Sequence, residues 1–181
     1  MGKREQTRAR LTACALDLFE RQGFEATTVG QIATAAKVTP MTFFRYFPTK
    51  ESVLLDDPYD PIIVASVAAQ PHSLAPLVRV TRGLRHAWSH VPEPDGETVR
   101  RRVRIVAQTP SLRGADSANN GQSEDLIAAA LAAAGVPALE ARAVASAAMA
   151  AMTAALFEWA VQSELTLGEV VHRVLDVLEA R

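Results

Sequence analysis

The chain has 181 residues, 49% hydrophobic and 22% charged, with a formal net charge of −1. That length suits one or two compact domains with a real core, and the apolar fraction excludes a disordered chain. One cysteine, Cys14, excludes an internal disulfide and a cysteine-based metal cluster. No apolar run reaches the length of a membrane span, and no apolar stretch follows the charges of MGKREQTRAR as in a secretory signal, so a soluble cytoplasmic protein is expected.

The charge is unevenly placed. Residues 1–50 carry eight Lys and Arg against four acids, and the remainder carries eleven against sixteen. A basic head on an acidic body fits a nucleic-acid-binding segment joined to a separate regulatory one.

The first predicted helix spans about Lys3–Gln22, with Leu11, Ala15, Leu18 and Phe19 on its apolar face. Gly23 follows as the residue free to take positive φ, and Phe24 packs back. Cys14 reads as a small core residue. Lys3, Arg4, Arg8 and Arg10 form a basic cluster, either a solvated face or a set of phosphate contacts.

Thr27–Phe47 reads as two short helices and a tight turn. Val29, Ile32, Ala33 and Ala36 recur at helical spacing, and Thr28 with Gln31 makes an S/T-x-x-E/Q capping box. Lys37-Val38-Thr39 is the turn. Thr39 caps the next helix, Pro40 takes its first position, and the helix is predicted over about Pro40–Phe47, ending at Pro48. Such a pair is a helix-turn-helix if its second helix presents side chains to base edges, and a plain helical hairpin otherwise. Thr49 then caps a fourth helix running from Lys50 to about Leu55. Asp56-Asp57-Pro58-Tyr59-Asp60-Pro61 breaks it, which places a domain boundary near residue 55.

Beyond that hinge every predicted element is a helix: about Pro61–Ala69, Leu74–His90, Gly96–Gln108, Pro110–Ala134, Pro137–Glu164 and Leu167–Ala180. Arg113–Ser123 is poor in helix formers and reads as a loop or a frayed helix half. Arg100-Arg101-Arg102-Val103-Arg104 is either a solvated helix face or an anion site at the mouth of a pocket. Met149, Met152, Leu156 and Trp159, with the stripe from Leu167 to Leu178, leave more apolar surface than one small domain can bury. The fold class is therefore all-α, in two helical domains, 1–55 and 56–181; a family resemblance, carried by the residues that follow, implies an N-terminal three-helix helix-turn-helix domain for the first and a regulatory and dimerisation domain for the second.

The order of Phe19, Gly23-Phe24, Thr28, Ile32-Ala33, Ala36, Val38, Thr42, Tyr46-Phe47 and Lys50-Glu51 closely resembles the TetR family of bacterial transcription regulators. The resemblance covers about Gly2–Leu55. Lys37 stands where the family usually has Gly. Phe44 stands where it usually has Tyr, so a phenolic O–H is absent. The resemblance implies double-stranded DNA with a palindromic operator as partner, and a homodimer through the last two helices. It puts Thr39, Met41, Thr42 and Arg45 toward the major groove, and Thr28, Tyr46 and Lys50 against the DNA backbone. A repressor released by a small apolar effector is expected. The hinge and the Arg-rich helix resemble an acyl-CoA-responsive branch, which implies an acyl-CoA ligand. Its candidate wall residues are Val80, Leu84, Trp88, Val103, Ala107, Leu126, Met149 and Met152, with Arg100 and Arg104 at the entrance. A ligand-independent DNA-binding or protein-interaction module is the alternative. No nucleophile–base pair, carboxylate pair or phosphate loop is present, so no enzyme and no cofactor are expected. His86 and His90 have metal-ligand spacing without a third ligand and read as a surface pair.

Overall fold

The computed structural model describes residues 2–56, 60–90, 96–162 and 164–180, and side chains for all of these except 60, 115–119 and 162. All regular structure among them is helical: α1 (Lys3–Gln22), α2 (Val29–Ala35), α3 (Pro40–Phe44), α4 (Ser52–Leu55), α5 (Asp60–Ala68), α6 (Pro76–His90), α7 (Gly96–Gln108), α8 (Pro110–Ala133), α9 (Ala138–Gln162) and α10 (Leu167–Glu179). The chain forms two compact units. The first holds residues 1–56 and also 97–115; the second holds 57–96 and 116–181. Of the hinge expected over Asp56–Pro61, residues 57–59 lie outside the described residues.

Two expectations are corrected. α3 closes at Phe44, not Phe47, because Arg45 caps it and its N–H is shared among the Met41, Thr42 and Phe43 carbonyls. Arg113–Ser123 is not a loop, since α8 runs through it. Long-range bonds offset the weak local propensity: Asn120 Nδ2 donates to Thr153 Oγ1 at 3.0 Å, and Ser146 Oγ donates to Glu124 Oε2 at 2.6 Å.

In the first unit the core is built from Leu11, Ala15, Leu16, Phe19, Phe24, Ile32, Ala33, Phe43, Phe47, Val53 and Leu54, all buried. α7 belongs to this unit through its arginines. Arg101 grips α1: Nε donates to Glu20 Oε1 at 2.9 Å, and Nη2 donates to Glu20 Oε2 and Asp17 Oδ1, both at 2.6 Å. Those bonds hold the Glu20 carboxyl below its ordinary value and push the Arg101 pKa up. Arg102 reaches the end of α4, donating through Nη2 to the carbonyls of Leu54 at 2.7 Å and Asp56 at 2.9 Å.

In the second unit α6 is central, packed by α5, α9 and α10. α5 approaches it closely at Gly83. A Cβ placed there would lie 2.6 Å from Val67 Cγ2 and 2.7 Å from Val67 Cα, so only glycine fits without a backbone shift. α10 starts with a capping box between Thr166 and Glu169. It is tied to α6 by Arg85, whose Nη2 lies 2.9 Å from Asp176 Oδ1 and 3.6 Å from Glu179 Oε1. The expectation that no apolar run reaches the length of a membrane span is corrected by α9, which is long and apolar enough for one by length and composition alone, with 22% of its most apolar window buried.

Candidate nucleic-acid interface

The turn between α2 and α3 fixes everything that α3 presents. Thr28 Oγ1 accepts from Gln31 N at 3.2 Å, and Gln31 Oε1 accepts from Thr28 N at 2.8 Å, closing the capping box. The other end of α2 is a Schellman motif: Val38 N donates to Ala33 O at 2.9 Å and Lys37 N to Thr34 O at 3.0 Å. Its left-handed residue is Lys37, with φ +54°, among the described residues the non-glycine at positive φ. Thr39 Oγ1 then accepts from Thr42 N at 3.2 Å, with Pro40 inside the first turn, so α3 begins at a defined point.

Phe43 and Phe47 lock the rotation of α3. Both are buried, 5.5 Å apart, and Phe43 meets Phe44 edge-on at 5.6 Å. With those rings inward, Thr39, Met41 and Arg45 are exposed, Met41 by 74%, while Thr42 and Tyr46 are half-buried. This surface carries one guanidinium, hydroxyls and apolar tips. Phe44, 51% exposed, lies on it too and received no role from the sequence.

The flanking cations are less free than their sequence implied. Lys50 Nζ donates to the Phe24 carbonyl at 2.8 Å and the Thr27 carbonyl at 2.9 Å, and lies 4.0 Å from the Phe24 ring centre. It ties the α1–α2 loop to the start of α4 and keeps one donor for other partners. Arg8 stacks on Phe47 at 4.5 Å and donates to the Tyr46 carbonyl and the Asp56 carboxylate, each at 3.1 Å. Gly2, Arg4, Glu5, Arg8 and Tyr46 line a shallow concavity of about 460 Å³.

The residues expected to bind a ligand divide between the units. Arg100, Val103, Arg104 and Ala107 belong to the first, and all four are half-buried. Val80, Leu84, Trp88, Leu126, Met149 and Met152 belong to the second. Val80 and Leu84 are buried, Trp88, Met149 and Met152 half-buried, and Leu126 is 46% exposed. A different set, Pro61, Ile62, Ala65, Ser66, Ala69, His86 and His90, lines a groove of about 410 Å³ between α5 and α6. The two imidazoles stack there with ring centres 4.2 Å apart.

Residues 11–56 match a family model described as bacterial regulatory proteins, tetR family, and residues 74–181 match one described as the MftR C-terminal domain. The chain is 37% identical over 117 residues to the HTH-type transcriptional regulator TcmR of Streptomyces glaucescens; the match covers 61% of this chain and 52% of that protein, about half its length. Two solved structures share the fold. NalD of Pseudomonas aeruginosa, the secondary repressor of the MexAB-OprM multidrug efflux pump, is 18% identical with a TM-score of 0.60, covering 98% of this chain and 96% of its own. SmeT, the repressor of the Stenotrophomonas maltophilia multidrug efflux pump SmeDEF, is 19% identical with a TM-score of 0.61, covering 94% and 87%.

Proposed function

The chain belongs to the TetR family of bacterial regulatory proteins and is a transcriptional regulator, not an enzyme; on that premise we propose that it represses by gripping a palindromic operator as a homodimer, and lets go when an apolar effector enters the second unit. The observation that carries the DNA reading is the phase of α3. Burial of Phe43 and Phe47 leaves Thr39, Met41 and Arg45 exposed on one side of α3, with Thr42 half-buried beside them. Arg45 is the base reader, since its fork matches guanine O6 and N7. Met41 and Phe44 suit thymine methyl groups. Thr28 and Tyr46 meet phosphates, joined by the remaining donor of Lys50.

The dimer reading rests on α9. Leu139 is 82% exposed and Val161 51%, and Val177 on α10 is 68% exposed. A helix this apolar and this uncovered gains by packing against its own copy, in the manner of a helix bundle. The effector is taken to be an elongated apolar molecule, with an acyl-CoA thioester as its working form. It acts by favouring a dimer whose heads miss the spacing of roughly 34–36 Å that one turn of DNA demands.

Sequencing the DNA retained by the purified protein tests this directly. A near-palindrome with half-sites one helical turn apart is expected. Retention of DNA without sequence preference would sink the operator reading.

A further inference from the structure

Arg79 on α6 heads the fully buried side chains by volume, with 1% of its surface exposed. Its Nε and Nη2 reach no hydrogen-bond acceptor among the described residues. Guanidinium does not deprotonate in proteins, so burial cannot be relieved by losing the charge. An uncompensated buried charge is strongly destabilising, and a native fold that keeps one is incomplete without its partner.

The two vacant donors identify that partner. Nε–H and Nη2–H form the side-on fork of a guanidinium, two parallel N–H groups spaced for the two oxygens of one carboxylate. Arg101 shows the filled version in this chain, with Nε and Nη2 on Glu20 Oε1 and Oε2 at 2.9 and 2.6 Å. Arg79 has no Glu20. The buried polar side chains of its unit, besides Arg79 itself, are Ser66, Thr81 and Ser123, none of them an acid. Several acids of its unit have partners of their own: Asp176 and Glu179 bond Arg85, Glu169 the cap of α10, Glu124 Ser146 and Asp125 Arg142. The partner is not a second copy of the chain either. Arg79 is covered to all but 1% of its surface, so a surface side chain of another molecule does not reach it.

We infer that Arg79 is the anchor for a carboxylate carried on an apolar effector, a reading that rests on the effector proposed above and narrows it to an acid. A single fork suits a planar monoanion; a phosphate, with more charge and a third oxygen, asks for more donors than this site holds. Val80, Leu84 and Ala87, buried on the same helix, supply an apolar setting for the body of the ligand. In such a setting the ion pair is unscreened, so the liganded state gains what the empty state lacks. That is the differential affinity an effector needs.

Calorimetric titration of the full chain with myristic acid, naphthoic acid, myristyl alcohol and myristoyl-CoA tests this. At least one acid is expected to bind, and the alcohol at least about ten-fold more weakly than myristic acid if that acid binds. Arg79→Met is expected to melt at the same temperature as the unmodified protein or higher without ligand, because it removes an unpaired buried charge. It should bind the acid roughly 10- to 100-fold more weakly, with Arg79→Lys between the two. Equal binding of acid and alcohol, or unchanged acid binding by Arg79→Met, would overturn the inference. So would a lower melting temperature for unliganded Arg79→Met, which would mark Arg79 as a satisfied part of the core. Binding of the thioester alone overturns the inference and leaves the effector reading standing. Binding of no probe removes both.

Discussion

Lys37 occupies a backbone conformation that suits glycine, and replacing it should stabilise the first unit. At φ +54° a side chain meets the following carbonyl, a cost of roughly 1–2 kcal/mol for an L-residue. Glycine escapes that cost but loses about 0.5–1 kcal/mol through the freedom of its unfolded chain. Lys37→Gly should therefore gain about 0.5–1 kcal/mol. The chain contains its own control, because α8 ends in the same motif. Val136 N donates to Leu131 O at 3.2 Å and Gly135 N to Ala132 O at 2.9 Å, with Gly135 at φ +89°. Urea unfolding followed by far-ultraviolet dichroism measures the effect. With a slope of roughly 2 kcal/mol per molar, the midpoint should rise by about 0.2–0.5 M. Lys37→Ala separates backbone from charge, since it deletes the ammonium and keeps the strain. If alanine stabilised as much as glycine, the gain would come from charge, and the conformational argument would be wrong.

Arg45→Ala should weaken binding to the selected operator by about 1–3 kcal/mol and relax preference at one base pair, measured by fluorescence anisotropy on operator variants; an unchanged preference would remove Arg45 from base reading. Gly83→Ala should destabilise by about 1–3 kcal/mol or more in thermal melts, because its methyl would meet the Val67 backbone; a neutral outcome would mean that α5 is free to shift. Glu20 has its carboxyl lowered by Arg101 from the ordinary 4.5, so its stabilisation is full above that value and fades as pH falls through the lower folded pKa. Urea midpoints between pH 5 and 3 should fall more steeply for the unmodified protein than for Arg101→Met, and parallel curves would deny the linkage. Ala151→Glu with Ala155→Glu, both half-buried on α9, should give monomers by light scattering if α9 is the dimer seam.

Local chemistry was legible in the sequence, and contacts across distance were not. α1 ends where Gly23 allows, with φ +83°, and the capping box read at Thr28 and Gln31 is present; the one at Thr166 and Glu169, with the same spacing, went unread. The arginine run was opaque because its meaning depends on acids and carbonyls 46 to 84 residues away. Lys50 looked like a surface cation because nothing near it in sequence reveals the Phe24 and Thr27 carbonyls. Val171, which looked like part of an exposed apolar stripe, is 2% exposed within the single chain. Periodicity gives a helix its apolar side but not the neighbour that side meets.

The clasp of Arg101 and Arg102 has a consequence for anyone moving this reading head between proteins. Residues 2–56 look like a portable cassette, but two of the fasteners that hold α1 and the end of α4 sit on α7, more than forty residues downstream. A graft that ends at the hinge would import the recognition helix and leave behind its brace. A transplant that carries Glu97–Ala115 along, or supplies arginines at the matching places in the host, would keep the head at its native stiffness.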